Sequence, residues 1–224
     1  MQTYNITLTG KTALIHHWDN IEWSDQMDAW KADPNNKKGS KAGDDRSPAF
    51  RWLGALYHNG TVVAMPQDNI MRCLMEGAAL VPVPGGKSGK TFKAQSQSGM
   101  LVGEPFWPQS VTSNGAKSHT IPVAPLLALQ TEKSFAKHQE TARRLGFELF
   151  LKRAKIGQSK HVRVRPMFEK WSLAGTIHVW DEQITKGVLA DILSFAGTYK
   201  GLGDWRPSGK TPGPYGTFAA TIDG

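Results

Sequence analysis

The chain has 224 residues, 39% of them apolar, and is therefore long enough to bury a core without disulfides or a structural metal. Its 27 Lys and Arg exceed its 19 Asp and Glu by eight, and binding to phosphate polymers is the commonest reason for such a surplus. The sequence has no apolar run of about 18 residues, no secretory-signal pattern and a single cysteine, so we expect a cytoplasmic protein without membrane spans or disulfides.

The first strand is predicted at 4–15, where apolar and polar residues alternate with a period of two. Gly10 and Lys11 predict a bend within this strand. Residues 24–50 are rich in turn formers and lysines, and we predict that they form an exposed insertion. Asn59-Gly60 lies between two short apolar segments and is typical of a tight hairpin.

A helix is predicted to begin at Asp68 or Asn69, either of which can cap it, and to end before Pro82. Apolar residues within 70–78 recur at helical spacing and predict one buried stripe. The glycines and lysines at 84–91 predict a flexible basic loop after the helix.

Residues 103–160 are predicted to be a second insertion, rich at first in Pro, Ser and Gly and then in positive charge. Between residues 133 and 170 eleven Lys and Arg stand against three Glu. A short strand is predicted at 147–151. Farther on, apolar residues alternate with Arg163 and Arg165, so both arginines are expected on one face of a strand.

Three more elements are predicted near the C-terminus. Alternating residues predict a strand at 171–180, and a helical apolar stripe predicts a helix at 185–199. Gly201 can end this helix in the left-handed conformation. A last strand is predicted at 217–222.

The predicted order, with the insertions set aside, is βαββαβ, the split βαβ arrangement. We therefore predict an α+β protein with one RRM-like, or ferredoxin-like, domain over 1–224. Its core would be an antiparallel sheet with two helices on one face, carrying long basic insertions. The other face of such a sheet is open, and open sheets of this kind are common platforms for nucleic acid.

The glycine-rich loop at 201–216 is the most specific feature of the sequence. Glycine lets a backbone approach a phosphate closely, Arg206 and Lys210 carry positive charge, and Trp205 and Tyr215 can stack on bases. The alternative is a long connection to an edge strand. Five glycines beside two cations and two rings exceed what a connection requires.

Both ends of the chain resemble the RAMP superfamily, which includes the backbone and guide-processing subunits of CRISPR effector complexes. The resemblance lies in ITLTG at 6–10, LIHH at 14–17, GLGDWRP at 201–207 and GPYGTF at 213–218. Within the superfamily the chain is most similar to short, solitary, phage-encoded members, which have a stretch like RPMFEKWSL at 165–173.

This resemblance implies a protein that binds single-stranded RNA or DNA along its backbone, without a cofactor or a metal. It also implies that copies of the chain stack side by side into a filament or an effector-complex backbone, with other CRISPR-type subunits as further partners. The residues expected to contact the strand are Lys37, Lys38, Lys41, Lys87, Lys90, Lys93, Arg163, Arg165, Gly201, Gly203, Trp205, Arg206, Lys210 and Tyr215.

Two other functions stay open beside this non-catalytic one. Some guide-processing relatives cleave RNA with a histidine, so a metal-independent endoribonuclease is one alternative, with His17 of the His16-His17 pair as its candidate. Asp45 is a weaker candidate, because some backbone relatives cut RNA with a loop aspartate. The other alternative is an interaction protein that mimics a CRISPR subunit.

NTP hydrolysis and a metal site are both disfavoured. The segments at 89–91 and 209–211 look like the end of a P-loop, but the first glycine of that motif would fall at Pro84 and at Asp204. The seven histidines have no metal-ligand spacing.

Overall fold

The structure is a computed structural model that describes residues 1–36, 43–85, 89–112, 118–156 and 159–223. It is an α+β structure with two antiparallel sheets in these residues. The strands are β1 (Gln2–Gly10), β2 (Leu14–Ile15), β3 (Ala64–Pro66), β4 (Met100–Val102), β5 (Phe106–Val111), β6 (His119–Thr120), β7 (Glu148–Ile156), β8 (Ser159–Phe168), β9 (Trp171–Val179) and β10 (Phe218–Asp223). The α-helices are α1 (Ile21–Ala32), α2 (Gln67–Ala78), α3 (Lys93–Gly99), α4 (Ala124–Leu127), α5 (Phe135–Arg144) and α6 (Lys186–Phe195).

The larger sheet has the strand order β10-β1-β9-β5-β3, and each of its pairings is antiparallel. Strands β4 and β5 lie end to end along β9, and β6 pairs with β5. The residues of β1 alternate between the two faces of the sheet. Ile6 and Leu8 are buried, while Thr7 and Thr9 face outward. The alternation seen in the sequence thus defines the core face of the sheet.

Helices α2 and α6 pack against each other and against the larger sheet, α2 on β3 and β4 and α6 on β10. The predicted helix after residue 68 is confirmed as α2, but its N-cap is Pro66, so neither Asp68 nor Asn69 caps it. The predicted second helix is confirmed as α6, where the Thr185 hydroxyl accepts a hydrogen bond from the Val188 amide. A π-helical turn at Ala196–Lys200 then carries the chain to Gly201.

The second sheet has the order β2-β8-β7. The predicted strand at 4–15 is divided by the bend after Gly10, which places β1 in one sheet and β2 in the other. The predicted strand at 147–151 is longer than expected and forms a hairpin with β8 over its whole length. This hairpin carries most of the positive charge that the sequence places in this region.

The range 24–50 differs most from its prediction as an exposed loop. Helix α1 occupies Ile21–Ala32, and the Asn20 carboxamide caps it by accepting from the Glu22 amide. Trp23 is the buried residue of this helix, so no apolar stripe marks it in the sequence. In the range 103–160, strand β5 belongs to the larger sheet itself rather than to a separate insertion.

The glycine-rich loop at 201–216 packs along the chain that leads into β2. The Gly216 amide donates to the Ala13 carbonyl over 2.8 Å, and the Asp204 amide donates to the Ile15 carbonyl over 2.8 Å. Gly201, Gly203 and Gly216 all have positive φ. Gly201 has positive φ, as a glycine at this position predicts, but its ψ of 171° lies outside the left-handed helical region, so the predicted left-handed cap is wrong. Backbone hydrogen bonds hold the loop against the chain that leads into β2.

Replacing Gly216 by Ala is expected to lower the free energy of unfolding by about 2 kcal/mol, since the residue has φ +72° and a Cβ would overlap the Leu202 carbonyl oxygen. Gly60→Ala is the matched control, because φ is +91° there but nothing lies within 4 Å of its Cβ position. Urea unfolding of both variants separates the two effects. Equal losses of unfolding free energy in the two variants would show that the contact with Leu202 is not the reason for glycine at position 216.

In the described part of the chain, none of the helices combines the length and the apolar character that crossing a membrane would require.

Candidate nucleic-acid interface

Strand β8 presents Arg163 and Arg165 on one face, as the alternation in the sequence predicted. Val164 between them points the other way and is buried in the core. Strand β7 continues the arginine face, because Lys152 pairs in register with Arg163 and Phe150 pairs with Arg165. Residues that pair across antiparallel strands share a face, so three cations and a ring lie side by side.

Trp205 and Tyr215 of the glycine-rich loop meet this face. Their ring centroids are 5.3 Å apart, and Phe150 lies 6.5 Å from Trp205 and 5.9 Å from Tyr215. The Lys152 ammonium stands 2.9 Å from the centroid of the Trp205 ring, a cation–π contact. The structure thus brings together Arg163, Arg165, Trp205 and Tyr215, which the sequence predicted as strand-contacting residues from two distant segments.

Asp45 is a buried carboxylate at the centre of the arginines, and its side chain is only 3% exposed. Its backbone amide donates to the Val162 carbonyl over 2.9 Å, which attaches the segment to the edge of β8. Its carboxylate oxygens lie 2.9 Å from Arg51, 3.1 Å from Arg163 and 3.6 Å from Arg165. One buried carboxylate therefore holds three guanidinium groups in place.

His17 adjoins the same cluster. Nε2 of its ring lies 3.1 Å from the Arg165 guanidinium, and Nδ1 lies 3.7 Å from the Asp204 carboxylate. Arginine is an obligate donor, so Nε2 must accept, and the proton of the neutral ring is on Nδ1. Burial and the nearby Arg165 charge lower the pKa of His17, an effect that Asp204 partly opposes. The imidazole is therefore neutral at pH 7 and orients Arg165.

A cleft of about 550 Å³ opens beside this cluster. Arg51, Arg163, Arg165 and Asp45 line one part of it, and residues of α1 and its approach line the rest. The approach includes Trp18, whose ring packs against Tyr57 and His58. The cleft therefore combines fixed positive charge with an aromatic wall.

Arg206 lies in the predicted loop but faces the other way, toward α2. Both of its terminal nitrogens donate to the Glu76 carboxylate over 3.0 Å, and Ser208 donates to it over 2.9 Å. Burial alone would raise the pKa of Glu76, but the hydrogen bonds from Arg206 and Ser208 hold it below its usual value. The Arg206 charge is thus balanced within the protein.

The remaining predicted residues are spread over the molecule. The Gly201 amide donates to the Ala196 carbonyl, Gly203 packs against the Ile15 carbonyl, and Lys210 is exposed at the end of the loop. Lys90 is exposed before α3, and Lys93 is exposed at its first position; α3 packs on α2 and β4, and neither lysine lines the cleft. Four predicted lysines fall outside the described residues: Lys37, Lys38, Lys41 and Lys87.

The outer face of the larger sheet differs from the arginine face. Strands β1, β9 and β10, all within the described residues, present mostly small or polar side chains on this face. Asp223 is the one Asp, Glu, Lys or Arg among them. Registered pairs such as Thr7 with Thr221 and Asn5 with Thr176 build this surface. Since these positions offer no Lys, Arg, Phe, Tyr or Trp, the charged and aromatic surface is the β7–β8 hairpin rather than the open sheet.

Arg51, Phe150 and Lys152 belong to this surface but were not predicted. For Phe150 a signal existed, because it lies on the predicted strand at 147–151, and Lys152 follows directly after it. The register of the hairpin was needed to place both beside the arginines. For Arg51 no local signal existed, since its partner Asp45 is positioned by pairing with β8.

His16, the neighbour of His17, lies in the core and is fully buried. Its Nε2 atom is 2.9 Å from the Gln109 side-chain oxygen, and Nδ1 accepts from the Tyr57 amide over 3.2 Å. In the described part of the chain no cluster of three or more His, Cys, Asp and Glu is placed to hold a metal ion.

No known family model matches the chain, and no curated protein matches it. The site is therefore defined by its geometry alone. In this α+β protein, the β7–β8 hairpin and the glycine-rich loop together form a surface of cations and aromatic rings.

Proposed function

We propose that this protein binds single-stranded RNA or DNA along its backbone, without cutting it, as the resemblance to RAMP proteins implies. A split βαβ core is part of the proposal. Two features support such a core. The strands follow the order β10-β1-β9 and then the β4 and β5 pair, antiparallel throughout, and α2 and α6 pack on this sheet.

One observation carries the binding proposal: the cations of the β7–β8 hairpin and the rings of the glycine-rich loop share one surface. Single strands are bound by positive side chains that follow the phosphates and by rings on which bases stack. Lys152, Arg163 and Arg165 would supply the first, and Trp205 and Tyr215 the second. Such binding tolerates many sequences, because every phosphate is charged and every base has a face.

Binding is tested by fluorescence anisotropy with labelled single-stranded RNA and DNA of mixed sequence. The logarithm of affinity should fall by about 0.7 per contacted phosphate for each tenfold rise in salt. The double variant Lys152→Gln with Arg163→Gln should bind on the order of a hundredfold more weakly, with a salt slope smaller by about 1.4.

The matched control is Arg143→Gln with Arg144→Gln, which removes the same charge from the exposed end of α5. It should retain most of the affinity and the full slope. If the control loses as much affinity as the hairpin variant, the effect is that of net charge, and the proposed surface is wrong.

Assembly into a side-by-side filament is the second part of the proposal. Among the described strands, β10 ends the larger sheet and β7 ends the smaller one, and edge strands can pair with another chain. Light scattering after size exclusion should then show complexes whose mass rises in steps with strand length. A single protein per strand at every length would contradict assembly.

The alternative function is that of an endoribonuclease. The position of His17 favours it, because the His17 ring lies beside Arg165 and Asp204. However, the Nε2 lone pair that a general base would use is occupied by Arg165. Labelled RNA incubated with the wild-type protein should therefore remain intact. Cleavage that His17→Ala abolishes would establish the nuclease instead.

A further inference from the structure

The base of the cleft has a fixed surplus of positive charge. Arg51, Arg163 and Arg165 contribute three positive charges, and two carboxylates, Asp45 and Asp204 (3.9 Å from Arg165 Nε), contribute two negative charges, which leaves a net charge of +1. Because Asp45 is almost fully buried and attached to β8 through its backbone, the three guanidinium groups are arranged before any ligand arrives.

The cluster also has donors to spare. Each guanidinium has five N–H groups, whereas the Asp45 carboxylate engages terminal nitrogens of the three arginines. Arg165 donates to the Val164 carbonyl and to His17, and its Nε lies 3.9 Å from the Asp204 carboxylate, so the spare donors are mainly those of Arg51 and Arg163. Unused guanidinium N–H groups around a single carboxylate can bind a ligand that has several acceptor oxygens on one atom, as a phosphate has.

The lining of the cleft beyond the arginines includes exposed carboxylates. These are Asp19 and Asp28, with side chains 99% and 75% exposed, and Lys31 is paired with Asp28 over 3.0 Å. A polyanion that ran through the cleft would pass these carboxylates, and like charges repel. A strand that ended in the cleft would place one phosphate on the arginines, and its other phosphates would not have to pass these carboxylates.

We propose that the cleft binds one phosphomonoester, the terminal phosphate of a strand, on Arg51, Arg163 and Arg165, with the terminal base against Trp18. A phosphomonoester carries about −1.5 to −2 charges at neutral pH and has three acceptor oxygens, whereas each internal phosphate carries one charge, so the arginines should bind the terminal phosphate more strongly. This proposal rests on the proposed strand binding and adds that the protein recognises a strand end. Asp45 is a positioning residue, since it acts through the arginines.

The first test compares otherwise identical oligonucleotides that end in a 5′-phosphate, a 3′-phosphate or hydroxyls only. The strand with the 5′-phosphate or the strand with the 3′-phosphate should bind on the order of tenfold more tightly than the strand that ends in hydroxyls. The Arg51→Gln variant should bring this ratio close to one, and the control Arg144→Gln should keep it. Equal binding of all three strands, or an unchanged ratio in Arg51→Gln, would overturn the proposal.

The second test separates this proposal from strand binding in general. Thymidine 5′-monophosphate, thymidine 3′-monophosphate and thymidine are titrated by calorimetry against the wild-type protein, which needs no variant to fold. Binding of a monophosphate but not of thymidine supports the cleft even if no strand binds. Strand binding with no preference for any phosphorylated end or monophosphate rejects the cleft and leaves the proposed function in place.

Discussion

Replacing Asp45 by Asn is expected to lower the free energy of unfolding by about 3–5 kcal/mol, the range for removing one partner of a buried ion pair. The asparagine has the same shape, but it leaves Arg51 and Arg163 without this carboxylate and Arg165 with only Asp204, 3.9 Å away. Arg165 is affected most, because only 16% of its side chain is exposed. Urea unfolding with far-UV circular dichroism measures the loss.

Asp28→Asn is the control for this prediction. Asp28 also pairs with a cation, Lys31, but both side chains are largely exposed, and exposed pairs contribute about 0–1 kcal/mol. A large loss in Asp45→Asn and a small one in Asp28→Asn would confirm that burial makes the difference. Similar losses would mean that the arginine cluster is not organised around Asp45.

Acid is expected to destabilise the fold by about 5 kcal/mol through His16 alone, using about 1.4 kcal/mol per pKa unit. Burial lowers the pKa of His16 from 6.5 to about 3, against the opposing effect of its hydrogen bond to Gln109. Between pH 6.5 and 3 the unfolded chain binds a proton at this residue and the native protein does not. Stability is therefore greatest above pH 6.5 and falls as the pH falls toward 3.

Other histidines act in the same direction, because burial also lowers the pKa of His17, His58 and His138. The part due to His16 is isolated by measuring unfolding of His16→Gln across this pH range. The variant is less stable at pH 7, yet its stability should decline less on acidification. His119→Gln, an exposed residue of β6, should keep the wild-type decline. An identical decline in His16→Gln would contradict the assignment.

Much of the secondary structure was predictable because it depends on local periodicity. The alternation around Arg163 and Arg165 predicted their common face, and the apolar stripe after residue 68 predicted α2. Helix α1 was not predicted, because Trp23 is its one buried residue and its other apolar residues do not form a stripe. A helix of that kind is stabilised by its cap and its neighbours, which no periodicity reveals.

The site was predictable only in part. Trp205 and Tyr215 were recognised as rings beside glycines, and the structure places them against the predicted arginine strand. Arg206 belonged to the same motif, yet its charge is balanced by Glu76, which is 130 positions away in the chain. The motif therefore identified the loop correctly but not the direction in which each side chain points.

The sequence by itself determined the positive charge, the strand on which Arg163 and Arg165 share a face, and the last helix before the glycine-rich loop. These properties depend on composition and on residues a few positions apart. Only the tertiary structure decided that Asp45 gathers three arginines, because that pairing joins segments more than a hundred residues apart. The balance of charge in a site depends on which distant segments pack together, and local periodicity carries no information about that packing.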